Sequence, residues 1–88
     1  MPERSVQVVN EAGIHARPAA EIVKAAAKFK AEITIARDDL EVNAKSIMGV
    51  MMLAAECGST VILKGEGDGA QAAIDAIAAV IANGFGEP

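Results

Sequence analysis

Two stretches of this chain read as helices with one apolar stripe each, and that limits the folds open to it. From Ala16 onward, Ala19, Ile22, Val23, Ala26 and Phe29 fall on one face, while Glu21, Lys24 and Lys28 face away. From Ala70 to Ala82, Ile74, Ile77 and Ile81 recur at helical spacing. Each stripe has to be covered by something apolar. The cover is legible in segments of a different period. Ser5-Val6-Gln7-Val8-Val9 alternates as a half-buried strand would. Ile33-Thr34-Ile35 and Leu40-Glu41-Val42 flank the turn signal Asp38-Asp39 and read as a hairpin. Thr60-Val61-Ile62-Leu63-Lys64 is apolar enough to be a central strand.

Punctuation completes the pattern. Asn10 to Gly13 interrupts the first strand, and Gly65, Gly67 and Gly69 form a turn after the last one. Ser46 is a good N-cap for a short helix over Ile47–Leu53, which Gly58 separates from the next strand. Asn83-Gly84 is a helix stop. The order is βαββαβα, and one-sided helices require a two-layer α+β domain on a mainly antiparallel sheet. Periodicity leaves the strand order open, since a ferredoxin-like arrangement and others share this element order. The 88 residues form one domain, 1–88, with alanine-rich helices and only Phe29 and Phe85 as aromatics. Packing therefore rests on Ile, Val, Leu and Met.

Composition excludes several function classes. A net charge of −4 argues against nonspecific nucleic-acid binding. No apolar run approaches membrane-spanning length, and Met1-Pro2-Glu3-Arg4 is not of signal-peptide kind, so cytoplasmic residence without membrane insertion is expected. Cys57 is alone and is expected to be a buried, inert thiol. With one cysteine and one histidine, no metal site and no cofactor are expected. Arg17, Lys24, Lys28 and Lys45 gather in the segments nearest the two helix starts, where a local basic face could meet an acidic partner.

His15 is the only histidine. Such a residue is usually solvated or a helix cap. Its setting, Ala12-Gly13-Ile14-His15-Ala16-Arg17-Pro18-Ala19, points elsewhere. Neutral imidazole is a nucleophile near physiological pH. Arg17 offers a planar fork suited to phosphoryl oxygens. Pro18 fits a first helical turn, where its missing N–H costs little. The free amides of Ala16 and Arg17 would then face His15 at a positive helix end that favours an anion. This chemistry holds phosphate.

Gly13-Ile14-His15-Ala16-Arg17-Pro18-Ala19 resembles the active-site signature of the HPr family of histidine-containing phosphocarriers. Val42-Asn43-Ala44-Lys45-Ser46-Ile47-Met48-Gly49-Val50-Met51 resembles that family's serine-site signature. The likeness covers essentially the whole chain. It implies an open-faced β-sandwich, a four-stranded antiparallel sheet in order 1-4-2-3 with three helices on one face. It also implies a role in the bacterial phosphoenolpyruvate:sugar phosphotransferase system. Enzyme I would phosphorylate Nδ1 of His15, Arg17 would steer and neutralise the phosphate, and an enzyme IIA domain would receive it. Ser46 would be the target of an HPr kinase/phosphorylase.

Ile47, Met48, Met51 and Met52 cannot all face inward on one short helix, whereas Val50 and Leu53 fit the core. The adaptable methionines suit a surface that docks several partners, and the resemblance assigns that patch to enzyme I and the enzyme IIA domains. Met52 to Cys57 departs from the serine- and glycine-containing stretch common in the family, which leaves the hydrogen bonding of that helix end open. A carrier that meets many partners is expected to be monomeric. Two other readings remain at this level. One is a small phosphate-ester or acyl-phosphate hydrolase, which lacks an obvious group to position water. The other is a paralogue serving a nitrogen-related or regulatory phosphotransfer branch.

Overall fold

A computed structural model describes residues 2–88. The elements follow the order β1 (Glu3–Gln7), α1 (Ala16–Ala26), β2 (Glu32–Arg37), β3 (Leu40–Asn43), α2 (Ile47–Met52), β4 (Thr60–Glu66) and α3 (Ala70–Ala82). A short 3₁₀ turn covers Gly84–Gly86. The four strands form one antiparallel sheet in order β1-β4-β2-β3. Among the described residues, no helix is long and apolar enough to cross a membrane.

Strand β4 is central because both of its edges are used. Val61 pairs with Val6 of β1, and Leu63 pairs with Ile35 of β2. Val61, Leu63 and Gly65 are buried, while the alternate residues Thr60 and Glu66 are exposed. The helices therefore sit on one face only. Ile22 and Ala26 of α1 and Ile74, Ile77 and Ile81 of α3 meet Ile33, Ile35, Val61 and Leu63 in one core. With so few aromatics, close approach replaces bulk. Gly65 shows how close. A Cβ there would lie 3.0 Å from Cβ of Ala70 and 3.1 Å from Cδ1 of both Ile33 and Ile74. Gly65 thus belongs to β4 rather than to the turn the sequence suggested, which is left to Gly67 and Gly69.

Other differences have local causes. The first strand was expected over Ser5–Val9, but its ladder covers Glu3–Gln7. Val8 leaves the strand without losing its partners, because its N–H donates to Ser59 O and its carbonyl accepts from Gly58 N, both at 2.8 Å. Val9 is then turned to solvent. Cys57, expected to be buried, is exposed, because it lies in the turn before β4 and not on an apolar stripe. The hairpin turns at Asp38, whose left-handed φ of 54° an aspartate tolerates.

The end of α2, left open by the sequence, is satisfied by a residue from another element. Nη1 of Arg37 donates to Leu53 O at 3.0 Å and Ala54 O at 3.1 Å. At the other end, Oγ of Ser46 accepts from Gly49 N at 3.1 Å, as an N-cap should. Ala54 follows with a left-handed φ of 48°, a conformation that disfavours a Cβ.

Two substitutions should therefore shift stability in opposite directions. Gly65→Ala should destabilise by about 1–3 kcal/mol through overpacking. Ala54→Gly should stabilise by up to about 1 kcal/mol by removing the Cβ from a left-handed residue. Denaturant melts of the three proteins measure both.

A histidine and a carboxylate at the start of a helix

The loop before α1 is built to present one side chain. Gly13 has a φ of 70°, and a Cβ there would come within 2.5 Å of Ala55 O. Only glycine fits so close a backbone crossing. Next to it, Ile14 N donates to Ala55 O at 2.8 Å, and the Ile14 side chain is buried. These contacts fix the chain on either side of His15, so that His15 takes the N-cap position of α1 with extended backbone angles. Its carbonyl accepts from Ala19 N at 2.9 Å.

The His15 side chain does no capping work. It stands 44% exposed at the helix end. Ala16 and Arg17 occupy the first two helical positions, where an amide has no acceptor within the helix. Pro18 is buried and, having no N–H, donates nothing, so its part is to fix the first turn. No acidic residue occupies that turn. The Arg17 side chain is 69% exposed. The arrangement can hold an anion beside a nucleophilic ring.

A residue that sequence reasoning missed completes the group. The segment after α3 folds back across the loop. Phe85, one of two aromatics, is buried with a left-handed φ of 58° between Gly84 and Gly86. Pro88 O then accepts from Glu11 N at 2.8 Å. Between these anchors, Oε1 of Glu87 accepts from Nδ2 of Asn10 at 2.9 Å and lies 3.0 Å from Nε2 of His15. Its Oε2 lies 3.7 Å from Nη1 of Arg17. The Glu87 side chain is only 13% exposed. The hydrogen bond with His15, then that with Asn10, and the nearby positive charge hold its carboxyl below the usual carboxylate range, against an opposing effect of burial. Nothing near His15 in sequence announces Glu87. The available signal was Phe85, an aromatic flanked by glycines that had to be anchored somewhere.

The other candidates divide. Ile47, Met48, Met51 and Met52 are all exposed on α2, with Met48 at 78% and Met52 at 66%, while Val50 and Leu53 are buried as expected. Because Ala55 carries the Gly13–Ile14 contacts, this patch is linked to the His15 loop through only a few residues. Lys24 is exposed on α1, and Lys28 is exposed in the turn that follows it, because the helix ends at Ala26, short of the Lys28 and Phe29 positions the sequence pattern included. Lys45 differs from them. Its Nζ donates to Phe29 O at 2.8 Å, so it ties the turn after α1 to the segment before α2 instead of reaching freely into solvent. Among the described residues, no group of three or more His, Cys, Asp or Glu is placed to hold a metal ion.

The Glu87 carboxyl makes stability pH-dependent on the acid side. Its folded pKa lies below the reference value of 4.5, so its contribution is present above that value and is lost as pH falls through the folded one. The stability difference between the protein and Glu87→Gln should narrow as pH drops below 4.5. Denaturant melts of both proteins across that range measure it, and a gap unchanged down to pH ~3 would contradict the assignment.

The family model described as "PTS HPr component phosphorylation site" matches residues 2–83. The phosphocarrier protein HPr of Treponema pallidum (strain Nichols) is 52% identical over 87 residues, covering 99% of each chain. The phosphocarrier protein NPr of Shewanella violacea is 41% identical over 85 residues, covering 97% of this chain and 93% of its own. A crystal structure of HPr from Thermoanaerobacter tengcongensis superposes with a TM-score of 0.94 at 44% identity, covering 100% of this chain and 99% of that one. A helix start that offers histidine, arginine and free amides, in a fold shared end to end with these proteins, places this chain in the HPr family, as a phosphocarrier and not an enzyme.

Proposed function

We propose that this chain accepts a phosphoryl group on Nδ1 of His15 from phosphorylated enzyme I and passes it to an enzyme IIA domain. The observation that carries the reading is the exposed ring at the N-cap of α1, beside the unpaired amides of Ala16 and Arg17. A carrier must gain and lose its cargo with similar ease. Two backbone donors and one mobile arginine stabilise a phosphoryl group without enclosing it, and the partner completes the in-line geometry. An enclosed cage would hold the product too tightly.

The docking surface in this reading is the apolar patch of Ile47, Met48, Met51 and Met52, with the ammonium groups of Lys24 on α1 and Lys28 in the turn after it. Exposed methionines can repack against partners of different shape. The basic groups favour acidic partner surfaces. Lys45 supports this surface from beneath, through its bond to Phe29 O. The protein works as a monomer that meets one partner at a time.

Ser46 is the regulatory position in the same reading. Its hydroxyl caps α2, so a kinase would have to take it from Gly49 N. A phosphate there would keep the favourable helix end while adding negative charge beside the docking patch, which repels acidic partners. The 41%-identical NPr relative keeps the nitrogen-related branch as the second reading, with the same chemistry at His15 and a different partner set.

The test is to mix the protein with phosphoenolpyruvate, magnesium and enzyme I, and weigh it intact. One added phosphoryl group, acid-labile and absent in His15→Ala, is the expected result. No added mass with either a generic or the cognate enzyme I, while a control carrier is phosphorylated, would refute the reading.

A further inference from the structure

We infer that the Glu87 carboxylate is a positioning residue for His15, holding the ring proton on Nε2 so that the lone pair on Nδ1 is free to attack phosphorus. The inference rests on the carrier reading for the attack, but not for the tautomer. An ionised carboxylate has no hydrogen to give. At 3.0 Å from Oε1 of Glu87, Nε2 must therefore be the donor. A neutral imidazole carries one N–H, so Nδ1 is left unprotonated.

The surroundings keep Glu87 ionised. Oε1 already accepts from Nδ2 of Asn10 at 2.9 Å, and the Arg17 guanidinium stands 3.7 Å from Oε2. The orientation of the Asn10 amide is fixed as well. Its Nδ2 donates to both Glu87 Oε1 and Gly13 O, the latter at 2.8 Å. Turning the amide over would set Oδ1 against two acceptors. Oδ1 of Asn10 is buried and accepts from no protein group.

The arrangement also suits both directions of transfer. As the lone pair of Nδ1 forms the N–P bond, the bond from phosphorus to the phosphorylated partner's leaving atom breaks, and its electron pair stays with the partner. Nε2 keeps its proton, so the phosphorylated ring is cationic and faces the carboxylate. On donation the N–P electron pair returns to Nδ1, and the starting tautomer is restored without any proton moving. The backbone supports this role. Phe85 and the Glu11–Pro88 bond hold the chain on both sides of Glu87.

The experiment is ¹⁵N NMR of the His15 ring above its titration range, in the unphosphorylated protein and in Glu87→Ala. In the protein, the unprotonated nitrogen should be Nδ1 alone. In Glu87→Ala, the two ring nitrogen shifts should move toward each other, to the tautomer mixture of free histidine. A merely structural loss would not change the tautomer. After phosphorylation by enzyme I, ³¹P titration should show the ring losing its Nε2 proton about 1 pH unit lower in Glu87→Ala, as expected for loss of one neighbouring charge. Identical ring shifts in the two proteins, or a proton on Nδ1 in the parent, would overturn the inference while leaving the carrier reading intact. Failure of enzyme I to phosphorylate the parent would strike the carrier reading instead, and the tautomer result would stand.

Discussion

The backbone crossing of Gly13 and Ile14 over Ala55 is the contact on which the rest of the functional end depends. It is a short-range steric constraint, set by the absence of a Cβ at Gly13 and by one amide hydrogen bond from Ile14. It fixes where α1 begins, and so where the unpaired amides of its first turn point. It also ties that start to the chain leaving α2. The His15 ring and the exposed apolar patch of α2 belong to different helices, and this crossing joins them through backbone and not through mobile side chains. The histidine is therefore held in a defined place relative to that patch.

Around this contact the site balances two opposing fields. The start of α1 presents positive potential, which favours an incoming phosphoryl group. Glu87 presents the opposite sign on the far side of the same ring. Sequence reasoning weighed the helix end alone, because Glu87 is far away in the chain. The helix end favours the cargo, and the carboxylate favours the ring that has accepted it. A site with only one of these would bind phosphate or hold a cation, without handling both states.

Much of the fold was legible because its elements differ in period. The stripe of Ile74, Ile77 and Ile81 and the turn at Asp38-Asp39 are local signals, and the structure places both as expected. Strand order is a nonlocal property, and it entered through the family resemblance and not through periodicity. What local reading missed shares one cause. Gly65 reads as a turn residue until α3 is seen lying on it. Cys57 reads as apolar until its turn is seen in solvent. Arg37 closes the end of α2 from strand β2, and Lys45 reaches the turn after α1. Each of these is decided by a neighbour remote in sequence. At the site, His15, Ala16 and Arg17 could be read together because they are consecutive, and Glu87 could not.

That separation has a temporal side. His15 and Glu87 are 72 positions apart, so during synthesis the histidine is made long before its carboxylate partner. Strand β4, the centre of the sheet, also comes late in the chain. A nascent chain that has formed α1 and the β2–β3 hairpin still lacks the strand that joins β1 to β2, and it lacks Glu87. The surroundings of His15 are thus completed by segments made well after it, Ala55 beyond α2 and Glu87 beyond α3, and a chain cut short of Glu87 would carry the histidine without that carboxylate.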